Sequence, residues 1–246
     1  MSNNVIIGSA RIDENKNAKG GKAGDQTGIE VSTQKWYKHS KGWNVFRPID
    51  RLQAEYIAND CEYACINPNI GYDQSQRDTL YNISKKVGFN CSKVDVKCET
   101  DCSGLVRVCC AYAGIYLPDF NTSNEKTVLM DSYKFIQMTG TKYEGSSKYL
   151  MRGDILVTKT KGHTVIVLSN GEKANVVTDE IFHPYVLVTG ETVNIRKEHN
   201  KESRILFVVK KGCRLEYTGQ TYKTWYSVRY REQDGWITSK YTTLIT

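Results

Sequence analysis

The chain has little proline and little histidine, four of each in 246 residues, and it has no long apolar run. A membrane helix needs roughly 18 uninterrupted apolar residues, so no membrane is expected among its partners. Low-complexity tracts and repeats of constant period are also absent. With 39% hydrophobic and 25% charged residues, neither a disordered nor a fibrous chain fits. The N-terminus Met1-Ser2-Asn3-Asn4-Val5-Ile6-Ile7 lacks a basic region, and its apolar run is too short for a signal peptide. Synthesis in the cytoplasm without a signal peptide is expected. The glycine-rich run Gly20 to Gly28 lacks the Lys-Ser or Lys-Thr step of a phosphate-binding loop, because Ala23 follows Lys22. Nor do the cysteines show paired zinc spacing: Cys61 and Cys65, and Cys98 and Cys102, stand four apart without a matching partner pair. No metal and no cofactor are expected.

What is present is length enough to bury a core without staples, eight cysteines and a net charge of +7. The thiols, at 61, 65, 91, 98, 102, 109, 110 and 213, are expected to be mostly reduced and buried. The charge is lopsided. From residue 186 onward there are 11 Lys and Arg against six Asp and Glu, whereas the first 185 residues are nearly balanced. A basic excess suits nucleic acid or an anionic polymer. No nucleic-acid motif accompanies it, and nucleic acid is not expected as a partner.

Local signals divide the chain. Helices are expected over about 48–65, with Pro48 near the first turn, and about 73–87, from Asp73 to Gly88. Another should run over 101–114, with capping candidates Thr100 and Asp101 and a stop at Gly114. A further helix is expected near 126–138. Strands follow at 154–158, 164–168 and 174–178, the last two joined by a hairpin at Ser169-Asn170-Gly171-Glu172. From about 190, short strands rich in Val, Ile, Tyr and Trp alternate with glycines, the pattern of a small barrel of roughly 55 residues. The segment 182–190 is the join.

Cys102 falls at the first turn of the third helix, where free N–H groups and the helix dipole favour a thiolate. A nucleophile needs a base, and His163 begins a β-branched strand from which an imidazole can face a helix end. Asn175, twelve residues on, can accept the second imidazole N–H as orienter. His39, His183 and His199 carry no such context.

At these residues the sequence resembles a known family. Asp101-Cys102-Ser103-Gly104-Leu105-Val106, Gly153-Asp154-Ile155-Leu156, and His163 heading a strand that leads to Asn170-Gly171 are similar to the NlpC family of papain-like cell-wall cysteine hydrolases. The likeness spans about 75–180. It implies an α+β, papain-like catalytic domain with Cys102 as nucleophile, His163 as base and acid, and Asn175 in the third position. It further implies that Asp101 and Ser103 help bind the amine end of a stem peptide. Thr100 departs from the aromatic or apolar residue usual there, and Asn175 from the His of many members. The Gly20 to Gly28 run resembles N-terminal segments of phage lytic enzymes. Thr192 to Arg196, Val209 to Gly212, Trp225 to Val228 and Gly235 to Tyr241 resemble the bacterial Src-homology-3-like domain, with Lys197 to Asn200 replacing its usual turn.

The expected protein is therefore a monomeric two-domain peptidoglycan hydrolase of the endolysin type. Residues 1–185 would form the papain-like catalytic domain, with 1–70 as an N-terminal extension. Residues 186–246 would form a small all-β, wall-binding barrel. The expected partners are bacterial peptidoglycan and anionic wall polymers. The resemblance points first to an endopeptidase beside D-glutamate; an amidase between muramic acid and L-alanine, or a cross-bridge peptidase, would use the same acyl transfer to a thiolate. A wall-binding protein without activity is the alternative from another class. Action on the wall is expected to follow release from the cytoplasm.

Overall fold

The run Ile155-Leu156-Val157 is buried on both faces, so the strand carrying it needs apolar cover on each side. The computed structural model, which describes residues 5–13, 15–21, 23, 28–174, 185–230 and 233–245, supplies that cover. The chain divides into a unit of residues 1–177 and a unit of residues 178–246.

In the first unit the elements are β1 (Ile6–Ala10), β2 (Val31–Lys35), β3 (Trp43–Pro48), α1 (Arg51–Ile66), β4 (Ile70–Tyr72), α2 (Thr79–Ser84), β5 (Cys98–Thr100), α3 (Cys102–Tyr112), α4 (Glu125–Asp131), β6 (Phe135–Met138), α5 (Thr141–Glu144), β7 (Ile155–Thr158) and β8 (Thr164–Val167). Six strands form one antiparallel sheet in the order β2-β1-β8-β7-β3-β6. Strand periodicity separates two cores. Ile155, Val157 and Ile166 pack with Ile57, Leu105 and Val108 of α1 and α3, whereas Leu156, Val165 and Val167 pack with Trp43, Val45 and Leu150 on the other side. This is an α+β unit.

Several expectations change here. The helix expected from Asp73 begins only at Thr79. The Asp73 carboxylate instead accepts backbone N–H groups from Ser75 and Gln76, which holds a turn. The helix expected near 126–138 ends at Asp131; Tyr133 has φ 56°, and Phe135–Met138 turns into β6 on the free edge of β3. The hairpin expected after β8 is also displaced. One edge of β8 pairs with β7 and the other with β1, so β1 takes the place assigned to 174–178. Of that segment, Ala174 lies in a turn, and residues 175–178 lie outside the described residues. Gly171 explains the turn: a Cβ there would sit 2.2 Å from the Ser147 carbonyl oxygen, so the loop packs flat on 147–152. Residues 1–70 thus supply β1, β2 and β3, half the strands of the sheet.

The second unit is all-β among its described residues apart from one short 3-10 turn. Its strands β9 (Tyr185–Val188), β10 (Thr192–Arg196), β11 (Ile205–Lys210), β12 (Arg214–Tyr222), β13 (Trp225–Tyr230), β14 (Gln233–Thr238) and β15 (Thr242–Ile245) lie in the order β11-β10-β14-β13-β12-β9-β15. Val186, Ile195, Leu215, Val228 and Ile237 fill its core. Gly235 is required because a Cβ would meet Ile195 at 2.7 Å.

Candidate active site

Asp101 caps α3. Its Oδ1 accepts the Gly104 N–H at 2.6 Å and the Ser103 hydroxyl at 2.9 Å, which satisfies donors that a helix start leaves free. Cys102 is consequently the first residue of α3, 8% exposed. The backbone N–H groups of Thr164 and Ser103 lie near enough to its sulfur to favour a negative charge there. Thr164 opens β8, and its hydroxyl donates to the buried Glu125 carboxylate at 2.7 Å. The start of β8 therefore lies beside the start of α3.

His163 immediately precedes Thr164. Its N–H donates to Thr158 Oγ1 at 2.9 Å and its carbonyl accepts the Thr158 N–H at 3.0 Å, so the mouth of the β7–β8 hairpin fixes its backbone. His163 therefore stands one residue ahead of Thr164, whose N–H lies near the Cys102 sulfur. Asn175, expected to orient the imidazole, lies outside the described residues, as does His183. His39 and Arg11 lie close enough to His163 to act on its charge. His39, expected to be unremarkable, packs against Tyr37 and Trp43, and its Nδ1 accepts the Lys41 N–H at 3.0 Å.

The electrostatics oppose one expectation. Burial pushes the Cys102 thiol up to about 12, and the charges of Asp101 and Glu125 add to this. The nearby N–H groups of Thr164 and Ser103 lower it but do not compensate. Burial also pulls His163 down to about 4, helped by His39 and Arg11 and opposed by Asp101. Glu125, buried beside them, rises to about 8 for the same reason of desolvation. At neutral pH the pair is a thiol and a neutral imidazole.

A pocket of about 230 Å³ opens over Cys102. Asp101 and Ser103 line it, but both are already engaged. Arg77 Nε donates to Asp101 Oδ2 at 2.8 Å, one of its terminal nitrogens donates to Ser103 Oγ at 3.1 Å, and the other pairs with Asp119 at 2.9 Å. Arg77 was not legible as a site residue, since it stands alone ahead of α2 without a motif. Tyr37 and Tyr72, also unsuspected, have hydroxyls near enough to respond to the Cys102 charge. The other seven cysteines are free as well. Several lie together in the core: Cys61, Cys91 and Cys109 belong to one buried cluster, and Cys91 donates to Asp60 at 3.2 Å.

In the second unit, a pocket of about 260 Å³ has Arg196, Lys201, Lys240, Trp225 and Tyr241 on its walls and, among the described residues, no acidic side chain. His199 lies on a different aromatic platform, 4.1 Å from Tyr222 and 5.1 Å from Trp236 between ring centroids.

Family models match both units. The endolysin-like domain matches residues 7–174 and the bacterial SH3 domain matches residues 191–243. This chain belongs to the endolysin-like domain family, and it carries a bacterial SH3 domain after it. The endolysin-like match begins within β1, so the N-terminal strands and the Cys102 region fall under one family. The NlpC likeness rests on motifs alone. Among curated proteins none matches the chain.

Proposed function

We propose that the chain is a peptidoglycan hydrolase in which Cys102 attacks an amide bond of the wall peptide. The observation that carries this is the placement of Cys102: it is the first residue of α3, its sulfur lies near the N–H of Thr164 next to His163, and it lines a pocket. The membership in the endolysin-like family and the bacterial SH3 domain support the wall as substrate.

In this reading His163 takes the thiol proton as sulfur bonds to the carbonyl carbon. The oxygen that becomes negative is held by N–H groups at the start of α3. Collapse breaks the C–N bond, the amine leaves with the proton from His163, and a thioester remains. Water, deprotonated by His163, then releases the acid and the free thiol. Asn175 would fix the imidazole, and Asp101 and Ser103 would shape the amine side of the pocket. The bond best suited is that of a D-glutamyl endopeptidase. The SH3 domain would hold the enzyme on the wall, with anionic wall polymers as ligands for its cationic pocket, and action would follow release from the cytoplasm.

Mass spectrometry of products from digested peptidoglycan tests the bond: a new free N-terminus within the stem peptide is expected. Cys102→Ala should lower the clearing rate of a wall suspension by at least about 10³-fold while the melting temperature stays close to wild type. Equal clearing by that variant would remove Cys102 from the mechanism and favour a non-catalytic wall-binding protein.

A further inference from the structure

The glycine-rich loop before β2 and the turn before β8 each bring one lysine to the pocket over Cys102. Lys19 and Lys161 both line it, together with Arg77 and Asp101. Arg77 is committed to Asp101 and Asp119. Neither lysine forms an ion pair with a carboxylate among the described residues, and both side chains are exposed. Two lysines therefore border the pocket without an ion-pair partner among the described residues, whereas its carboxylate, Asp101, is already paired with Arg77.

Their backbones, by contrast, are firmly held. On one side of Lys19, the Ala18 carbonyl accepts the Gln74 N–H at 3.0 Å. On the other side, Gly20 and Gly21 donate to the buried Asp73 carboxylate at 2.5 and 2.7 Å. At Lys161, the carbonyl accepts the Lys41 ammonium at 2.5 Å, and the next N–H, that of Gly162, donates to Thr122 Oγ1 at 3.1 Å. Two distant stretches of chain are thus anchored at the rim of one cavity beside Cys102, each contributing one lysine to its lining. Lysines that only solvate a surface need no such anchoring.

We propose that Lys19 and Lys161 form a carboxylate-recognition site, which selects wall peptides bearing a free carboxylate next to the scissile amide. This rests on the hydrolase reading above and adds its specificity. The two ammonium groups act as point charges and position the peptide by attraction; the bond-breaking step remains with Cys102 and His163. Because the attraction lies in a pocket open to solvent, salt weakens it.

The test uses the full chain and soluble wall-peptide fragments, either native or with their carboxylates converted to amides by carbodiimide and ammonia. Soluble fragments remove any contribution from wall binding. Wild type should cleave the native fragments with a kcat/KM about tenfold or more above that for the amidated ones, chiefly through KM. The double variant Lys19→Gln, Lys161→Gln should lose that preference, cleave native fragments about tenfold less efficiently and keep kcat near wild type. Circular dichroism and melting temperature, unchanged at two exposed positions, separate this from misfolding. Equal cleavage of both fragment sets by wild type, or an undiminished preference in the double variant, overturns the proposal and leaves the hydrolase reading in place. Failure of wild type to cleave either set overturns both.

Discussion

At pH 7 the proton of Cys102 stays on sulfur, because burial outweighs the pull of the helix start. The base must then be ready to accept it. His163 is, since its neutral form persists down to about pH 4 instead of the ordinary 6.5. The pH profile of kcat/KM should consequently run flat through the neutral range and fall only as pH approaches about 4, where the imidazole gains a proton and can no longer act as base. An acid limb centred near 6.5 would contradict this. The same group affects stability. Its folded value lies below its unfolded value, so its contribution is fully present above about 6.5 and is lost as pH falls from there toward 4. A melting series between pH 7 and 4 should show a decline that His163→Gln makes shallower. The proposed nucleophile and base were legible as residue types at a helix start and a strand start. Their protonation was not, because it depends on how deeply β8 and α3 bury each other.

Among the elements, the sheet decides where those residues meet. Strand β7 enters it from Gly153, whose φ of 88° suits glycine, and whose absent Cβ would lie 2.4 Å from the Ala54 carbonyl oxygen on α1. Next to it, Asp154 is fully buried and accepts Arg47 Nε at 2.8 Å, with Arg47 coming from β3. Gly153→Ala combines backbone strain with a backbone clash, and its expected cost is about 3 kcal/mol or more. Denaturant unfolding should show that loss, with activity per folded molecule retained. An unchanged midpoint would mean that α1 does not pack so closely on this turn. The Gly153-Asp154 motif, the helix at Cys102 and the strands at 155 and 164 could be read from local pattern because caps, glycines and buried strands are local signals. The partners of β8 could not. β1 lies more than 150 residues earlier in sequence, and nothing in a single strand's pattern says which distant strand will take its edge. The same reason hid Asp73: it reads as a helix opener, whereas its buried carboxylate ties down a loop some fifty residues away.

At the scale of the molecule, the two units carry separate chemistries, and the charge imbalance of the sequence takes on a concrete form. The surplus beyond residue 186 includes Arg196, Lys201 and Lys240, which converge on one pocket of the SH3 domain with Trp225 and Tyr241 beside them. Arg196 is steadied there by the Ser203 carbonyl at 2.6 Å, and Lys240 lies 5.2 Å from the centre of the Tyr241 ring. The barrel pattern was legible because strands and glycines recur at short spacing. The pocket was not, since its cations come from β10, from the turn after it and from the turn before β15. If this pocket holds an anionic wall polymer, neutralising it should weaken retention on walls without touching the chemistry at Cys102. The variant Arg196→Gln, Lys201→Gln, Lys240→Gln should bind purified walls at least about tenfold more weakly at low salt, and its binding should depend less steeply on salt than that of wild type. Cleavage of soluble fragments should stay within about twofold, because Arg196, Lys201 and Lys240 all lie outside the Cys102 pocket. Wall binding that survives the triple substitution would place retention on another face of the barrel. A matching fall in soluble cleavage would show that the two units do not work independently.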